Sequence, residues 1–188
     1  MEHLTVRANG AALHVARIGT GRPLLLLHGW PEFWLTWEPV MARLADRFTL
    51  YAPDLRGFGD SAWQPQGYWY ADYIADLEAL LQAFAPGEAV NLAGHSLGGN
   101  VVLHYAGVRP ERARTVISLD GFGIRAEDSG EAPAKIARWL DALATPQDFA
   151  TYASFDAVAG RLQKNNPRLP RDKALFLAAH WAEARADG

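Results

Sequence analysis

The stretch NLAGHSLGGN, residues 91–100, sets the tightest limit on what this chain folds into. Gly94-His95-Ser96-Leu97-Gly98 fits the pattern G-x-S-x-G, which belongs at a turn from a strand into a helix. The reason is steric. A turn that tight forces the serine backbone into strain and leaves room only for small residues two positions to either side. The expected result is a serine oxygen standing at a sheet edge beside a helix N-terminus, where the Leu97 amide meets a developing oxyanion. The plain alternative is a glycine-rich strand–helix turn with no catalytic use.

The flanking sequence supplies the context this turn needs. Leu4–Ala8 and Leu13–Ile18 read as a strand pair around Asn9-Gly10. Pro23–His28 is a continuous apolar run, as in a strand buried on both faces. Trp34–Leu44 suits a helix, and Phe48–Ala52 a strand ended by Pro53-Asp54. Tyr73, Ile74, Leu77, Leu80, Leu81 and Phe84 recur at helical spacing, and Pro86-Gly87 stops that helix. Ala89–Ala93 is a strand, Leu97–Val108 a helix closed by Arg109-Pro110, and Thr115–Leu119 a further strand. Alternation of this kind predicts an α/β fold: a mostly parallel twisted sheet with helices on both faces. After Gly123 the chain reads as helical. Ile136, Trp139, Leu140 and Leu143 share a spacing with Pro133 near the start, Thr145-Pro146 looks like the cap and first turn of the next helix, and Ala174–Ala184 is helical after a loop at 165–170.

Composition narrows the function. The 188 residues carry a net charge of −3 and no clustered basic run, so nothing favours nucleic acid or an acidic membrane. There is no cysteine, which removes disulfides, a thiol nucleophile and Cys-ligated zinc and fits a cytoplasmic location. The first ten residues lack the apolar stretch of a signal peptide. Seven tryptophans and 49% hydrophobic residues indicate a folded core. No cofactor and no metal site are expected.

Two other motifs stand near the ends of predicted strands. His28-Gly29-Trp30-Pro31-Glu32 follows the first buried strand, and a loop there aims a second backbone N–H at the same oxyanion, with Trp30 the candidate donor. Without the serine turn it reads equally as a strand-to-helix turn with an aromatic packed beneath. Asp54-Leu55-Arg56-Gly57-Phe58-Gly59-Asp60-Ser61 suggests a tight, internally hydrogen-bonded loop. It has no phosphate-binding lysine pattern, so Asp54, Arg56 and Asp60 are assigned structural roles.

In this order and spacing, the three motifs resemble those of the α/β-hydrolase superfamily, and HGWPE and DLRGFGDS look most like its epoxide-hydrolase and dehalogenase branch. The resemblance implies the N-terminal part of the hydrolase core over residues 1–125 and a partial helical cap over 126–188. The family's nucleophile position matches Ser96. In epoxide hydrolases and dehalogenases an aspartate stands there and attacks as a carboxylate, whereas serine must lose a proton. That departure points to acyl transfer to water.

The family's acid and histidine follow the nucleophile in that order. Only His104 and His180 follow Ser96. His104 is eight residues along the same helix, roughly 11–12 Å from its start, and is read as a packing histidine. His180 sits on a helix of the expected cap. Asp120 ends the strand after the nucleophile helix and is the candidate triad acid, or else a strand-end aspartate bonding backbone amides. The resemblance therefore places the catalytic histidine beyond this chain, which reads as truncated inside its cap and leaves Thr115–Leu119 as an exposed edge.

The leading expectation is a serine hydrolase acting on a small apolar ester or similar acyl substrate through an acyl-enzyme. Ser96 and Asp120 are the catalytic candidates, Trp30 and Leu97 the oxyanion donors, and Phe33, Trp34 and Trp139 the pocket residues. The competing expectations are a non-catalytic ligand- or partner-binding protein on this fold, and a fragment completed by a second chain.

Overall fold

The computed structural model describes residues 1–64, 68–123, 128–144 and 150–184, except for the side chain of Leu143. The chain folds as two compact units, Met1–Ala137 and Arg138–Gly188.

The first unit is built on a six-stranded sheet. Its strands are β1 (Glu2–Ala8), β2 (Ala11–Ile18), β3 (Arg22–Leu27), β4 (Phe48–Pro53), β5 (Val90–His95) and β6 (Ala113–Leu119), in the order β1-β2-β4-β3-β5-β6. β1 and β2 pair antiparallel with Ala8 opposite Ala11, so Asn9 and Gly10 form the whole turn. Both have positive φ, 44° and 77°, as a two-residue hairpin of this hand requires. β2 also runs antiparallel to β4, while β3–β4, β3–β5 and β5–β6 are parallel. The mostly parallel α/β sheet expected from the alternation is present.

Both faces of the sheet are covered. Along β3, Leu25 and Leu27 face one layer with Tyr73, Leu77, Leu80 and Leu81 of α2 (Tyr70–Phe84) and Val101, Val102 and Tyr105 of α3 (Leu97–Val108). Leu24 and Leu26 face the other layer with Trp37 and with Met41 of α1 (Glu38–Leu44). This is why β3 reads as an unbroken apolar run: alternate side chains enter two different cores.

The helix expected over Trp34–Leu44 is split into a 3-10 turn at Trp34–Trp37 followed by α1. Pro39 explains the break. It has no N–H to donate to the Leu35 carbonyl, so a continuous α-helical ladder is impossible there.

After β6, a 3-10 turn at Ser129–Glu131 leads into α4 (Ala132–Ala144), which crosses the division between the units. The second unit continues with α5 (Phe155–Asn165) and α6 (Arg171–Trp181), which pack through Ala159, Ala174 and Ala178. No strand follows β6 among the described residues. The domain boundary expected at 125/126 and the Thr145-Pro146 cap both lie outside the described residues. The cap of α5 is Ser154, whose hydroxyl accepts from the Ala157 N–H at 3.2 Å. Among the described residues no helix is long and apolar enough to cross a membrane.

Candidate active site

Ser96 stands between β5 and α3 with φ 48° and ψ −111°. A non-glycine residue in that region stores on the order of 1–3 kcal/mol and persists only where its surroundings enforce it. Here they do. The Ser96 N–H donates to Leu119 O at 2.8 Å, and the Gly98 N–H donates to His28 O at 3.1 Å, so the turn is tied to both flanking strands. A Cβ at Gly94 would lie 2.2 Å from Gly98 O, and one at Gly98 would lie 2.3 Å from Leu27 O. Glycine is obligatory at both positions because backbone already fills the space. Leu97 is the first residue of α3, and its amide is one that helix geometry leaves without an intrahelical acceptor.

The loop after β3 comes up beside this turn. A Cβ at Gly29 would lie 3.0 Å from Ser96 Cβ and 2.9 Å from His95 Nδ1. His28 is fully buried, with Nδ1 2.8 Å from Gly29 O and Nε2 accepting from the Leu55 N–H at 2.9 Å. Burial pushes its pKa below the ordinary 6.5, so the ring is neutral, with its proton on Nδ1 and donated to Gly29 O. Glu32 is the other polar member. Its Oε2 accepts from the Gly29 N–H at 2.9 Å and lies 3.0 Å from His95 Nδ1.

Asp120 follows β6 with φ 56° and is exposed. It adjoins Leu119, whose carbonyl holds the Ser96 amide. Gly123 donates to Asn100 Oδ1 at 2.7 Å, which pins the loop after β6 to α3. β3, β5 and β6 are parallel neighbours, so Trp30, Ser96 and Asp120 emerge at one edge of the sheet. The Trp30 side chain is exposed there, and Phe33 is half-buried. Trp34 turns elsewhere. Its ring lies edge-on to His3 at 5.2 Å, and its N–H donates to Asp54 Oδ1 at 2.7 Å. Trp139 lies on α4 in the second unit.

The histidines of the first unit are all engaged. His3 Nδ1 meets His14 Nε2 at 2.8 Å, and His14 Nδ1 meets Asp54 Oδ2 at 2.8 Å. His28 and His95 are bound as described. His104 Nδ1 lies 2.8 Å from the Tyr70 hydroxyl and 2.9 Å from Asn100 O, in the packing role expected of it. In the second unit, His180 Nδ1 lies 2.7 Å from Phe176 O of its own helix.

The Asp54–Ser61 loop is structural, as its composition suggests. Buried Asp54 accepts from the Trp34 and Asp60 N–H groups and from His14, and Ser61 Oγ donates to Asp54 O at 2.7 Å. His14, Asp54 and Asp60 bring potential metal ligands within 4.8 Å of one another, but both Asp54 oxygens already hold donors.

Sequence reasoning did not find Glu32, or His28 as the support of Gly29. Neither type is distinctive in a turn, and their partners become visible only when the loop meets Ser96. The His3–His14 contact was within reach. The hairpin register sets His14 opposite Thr5, which makes His3 its diagonal neighbour on the same face.

A sheet of this order, with a strained serine at the strand–helix turn beside a glycine loop, defines a hydrolase-type scaffold. A family model described as the alpha/beta hydrolase fold matches residues 22–175, and the chain belongs to that family. It is similar to the soluble epoxide hydrolase of a Corynebacterium species, 35% identical over 136 residues, covering 71% of this chain and 47% of that protein. It is 39% identical over 108 residues to the 2-(acetamidomethylene)succinate hydrolase of Mesorhizobium japonicum, covering 57% of this chain and 38% of that protein. Among solved structures, the thioesterase domain from the curacin biosynthetic pathway matches with a TM-score of 0.86 at 25% identity, over 100% of this chain and 68% of that one. The chain spans less than half the length of both curated relatives.

Proposed function

We propose that Ser96 is the nucleophile of a hydrolase that cleaves an ester or similar acyl bond. The observation that carries the reading is the Ser96 backbone at φ 48°, held beside the first amide of α3. A binding protein has no use for a serine strained at that point, and the strain is on the order of 1–3 kcal/mol. Among the similar proteins, the thioesterase domain is the one whose name specifies an acyl bond, and it supports the acyl class, while the epoxide-hydrolase relatives support hydrolysis in general.

Ser96 Oγ attacks the acyl carbon as its proton leaves to a general base. The carbonyl oxygen takes up negative charge between the Leu97 and Trp30 amides. The bond to the leaving group breaks as the base returns the proton, and water then releases the acyl group by the same steps in reverse. In this proposal the base is a histidine outside residues 1–188, with Asp120 as its orienting acid, in the order acid then histidine that the family follows after the nucleophile. Exposed Trp30 and half-buried Phe33 present apolar surface for a small apolar acyl group.

The test is a fluorophosphonate label applied to the protein expressed from its own gene. Label should appear on Ser96, and Ser96→Ala should lose it together with at least about 1,000-fold of ester hydrolysis. Ester hydrolysis undiminished in Ser96→Ala would overturn the reading.

A further inference from the structure

We infer that Glu32 is a positioning residue: with His95 it latches the loop carrying Trp30 onto the turn carrying Ser96. The inference rests on the reading of Ser96 as nucleophile and adds a residue that this reading does not require.

One carboxylate oxygen carries the latch. Glu32 Oε2 accepts from the Gly29 N–H at 2.9 Å and meets His95 Nδ1 at 3.0 Å. Gly29 belongs to the loop after β3, and His95 immediately precedes Ser96 at the end of β5. A single atom therefore joins the two segments that must be in register. The Glu32 N–H also donates to Gly29 O at 3.0 Å, closing residues 29–32 into a turn. Gly29 O takes a second bond from His28 Nδ1. Both polar groups of Gly29 are thus held. Because the Gly29–Trp30 peptide is planar and trans, holding its C=O fixes the opposite direction for the Trp30 N–H.

The contact leaves no slack. A Cβ at Gly29 would sit within 2.9 Å of His95 Nδ1, 3.0 Å of Ser96 Cβ and 3.2 Å of Glu32 Oε2. The bare Cα is the surface on which the three groups close, so loss of Glu32 frees Gly29 to move relative to Ser96. Donor placement matters steeply: loss of one oxyanion donor costs about 100- to 1,000-fold in rate, and a misplacement of about 1 Å costs about 100-fold. An effect transmitted through Gly29 belongs at the lower end of that range.

The experiment compares Glu32→Ala with Glu32→Gln, whose amide oxygen can accept from the same two donors. Two quantities are read: the rate constant and half-saturation of Ser96 phosphonylation by a fluorophosphonate, in which Oγ bonds to phosphorus and fluoride leaves, and hydrogen exchange at the Gly29 amide. Glu32→Ala should slow phosphonylation about 10- to 100-fold, with half-saturation changed less than about threefold. Exchange at Gly29 should rise at least about tenfold as its acceptor is lost. Glu32→Gln should restore both to within about threefold of the parent protein. Should Glu32→Ala fail to fold, His95→Ala cuts the other arm and should slow phosphonylation in the same way.

Unchanged Gly29 exchange in Glu32→Ala overturns the latch whether or not Ser96 reacts. A defect confined to half-saturation also overturns it, as does a failure of Glu32→Gln to rescue. A parent protein that takes no label, yet shows the exchange pattern, indicts the reading of Ser96 and leaves the latch standing.

Discussion

Two histidines bound by neighbouring segments respond to pH in opposite directions. His28 is buried and must stay neutral, because Nε2 accepts from the Leu55 N–H while Nδ1 serves Gly29 O. Burial lowers its pKa. Its contribution to stability is therefore present above pH 6.5, the unfolded value, and is lost as pH falls through the lowered folded value. His14 behaves conversely. Its hydrogen bond to Asp54 raises its pKa, with the nearby Asp54 and Asp60 charges adding to the effect against burial. Its contribution is complete below pH 6.5 and is lost as pH rises through the raised folded value. Urea denaturation across pH 5–9 separates the two. The stability difference between the parent protein and His28→Gln should shrink toward acid, and the difference for His14→Gln should shrink toward alkali. Parallel slopes for the two variants would show that the ring environments are misassigned.

At the scale of elements, a buried ion pair fixes the Asp54–Ser61 loop to a helix. Arg56 is 2% exposed and Asp76 of α2 is 1% exposed. Arg56 Nε and Nη2 donate to the two Asp76 oxygens at 2.6 and 2.5 Å. Removing Asp76 leaves the buried guanidinium with only Asp72 at 3.8 Å and the Asn9 carbonyl at 3.3 Å, so Asp76→Ala should cost about 3 kcal/mol in urea denaturation at pH 7. Replacing both residues by apolar ones of similar size should recover most of that loss, and a cost below about 1 kcal/mol for Asp76→Ala would refute the argument. The helix holding Asp76 was legible from its apolar spacing, and α3 begins and ends at the residues expected, Leu97 and Val108. Periodicity reports which face of an element is buried, and these elements bury one strongly apolar face. It does not report partners, so neither Asp76 opposite Arg56 nor Glu32 opposite His95 was visible. The start of α5 was illegible for a related reason. Its buried side is a single alanine, Ala159, which leaves Ser154 without an apolar run to announce it.

At the scale of the whole molecule, the sheet has two edges of different character. β1 offers Glu2 and Arg7, both exposed, along its outer length. Charge of this kind discourages another strand from pairing there. β6 pairs only with β5 among the described residues. Val116 packs toward the core shared with α2 and α3, while Thr115, Ile117 and Leu119 alternate onto a face that is left open. Ile117 is 48% exposed and Leu119 47%. A parallel sheet ending in β-branched and aliphatic side chains, with its backbone unpaired, is a template for a second strand. The 188-residue chain should therefore associate as its concentration rises, through this edge. Ile117→Lys places a charge at the centre of the open face without touching Leu119, whose carbonyl holds Ser96. Light scattering over a concentration series should show the parent chain growing in mass and Ile117→Lys growing much less. The unfolding free energy should move by no more than about 0.5 kcal/mol, as for other exposed positions. Equal association of the two chains would move the sticky surface away from β6. The exposed apolar residues of α4, Ile136 and Leu140, would then be the next to substitute, since they form another apolar stripe open to solvent.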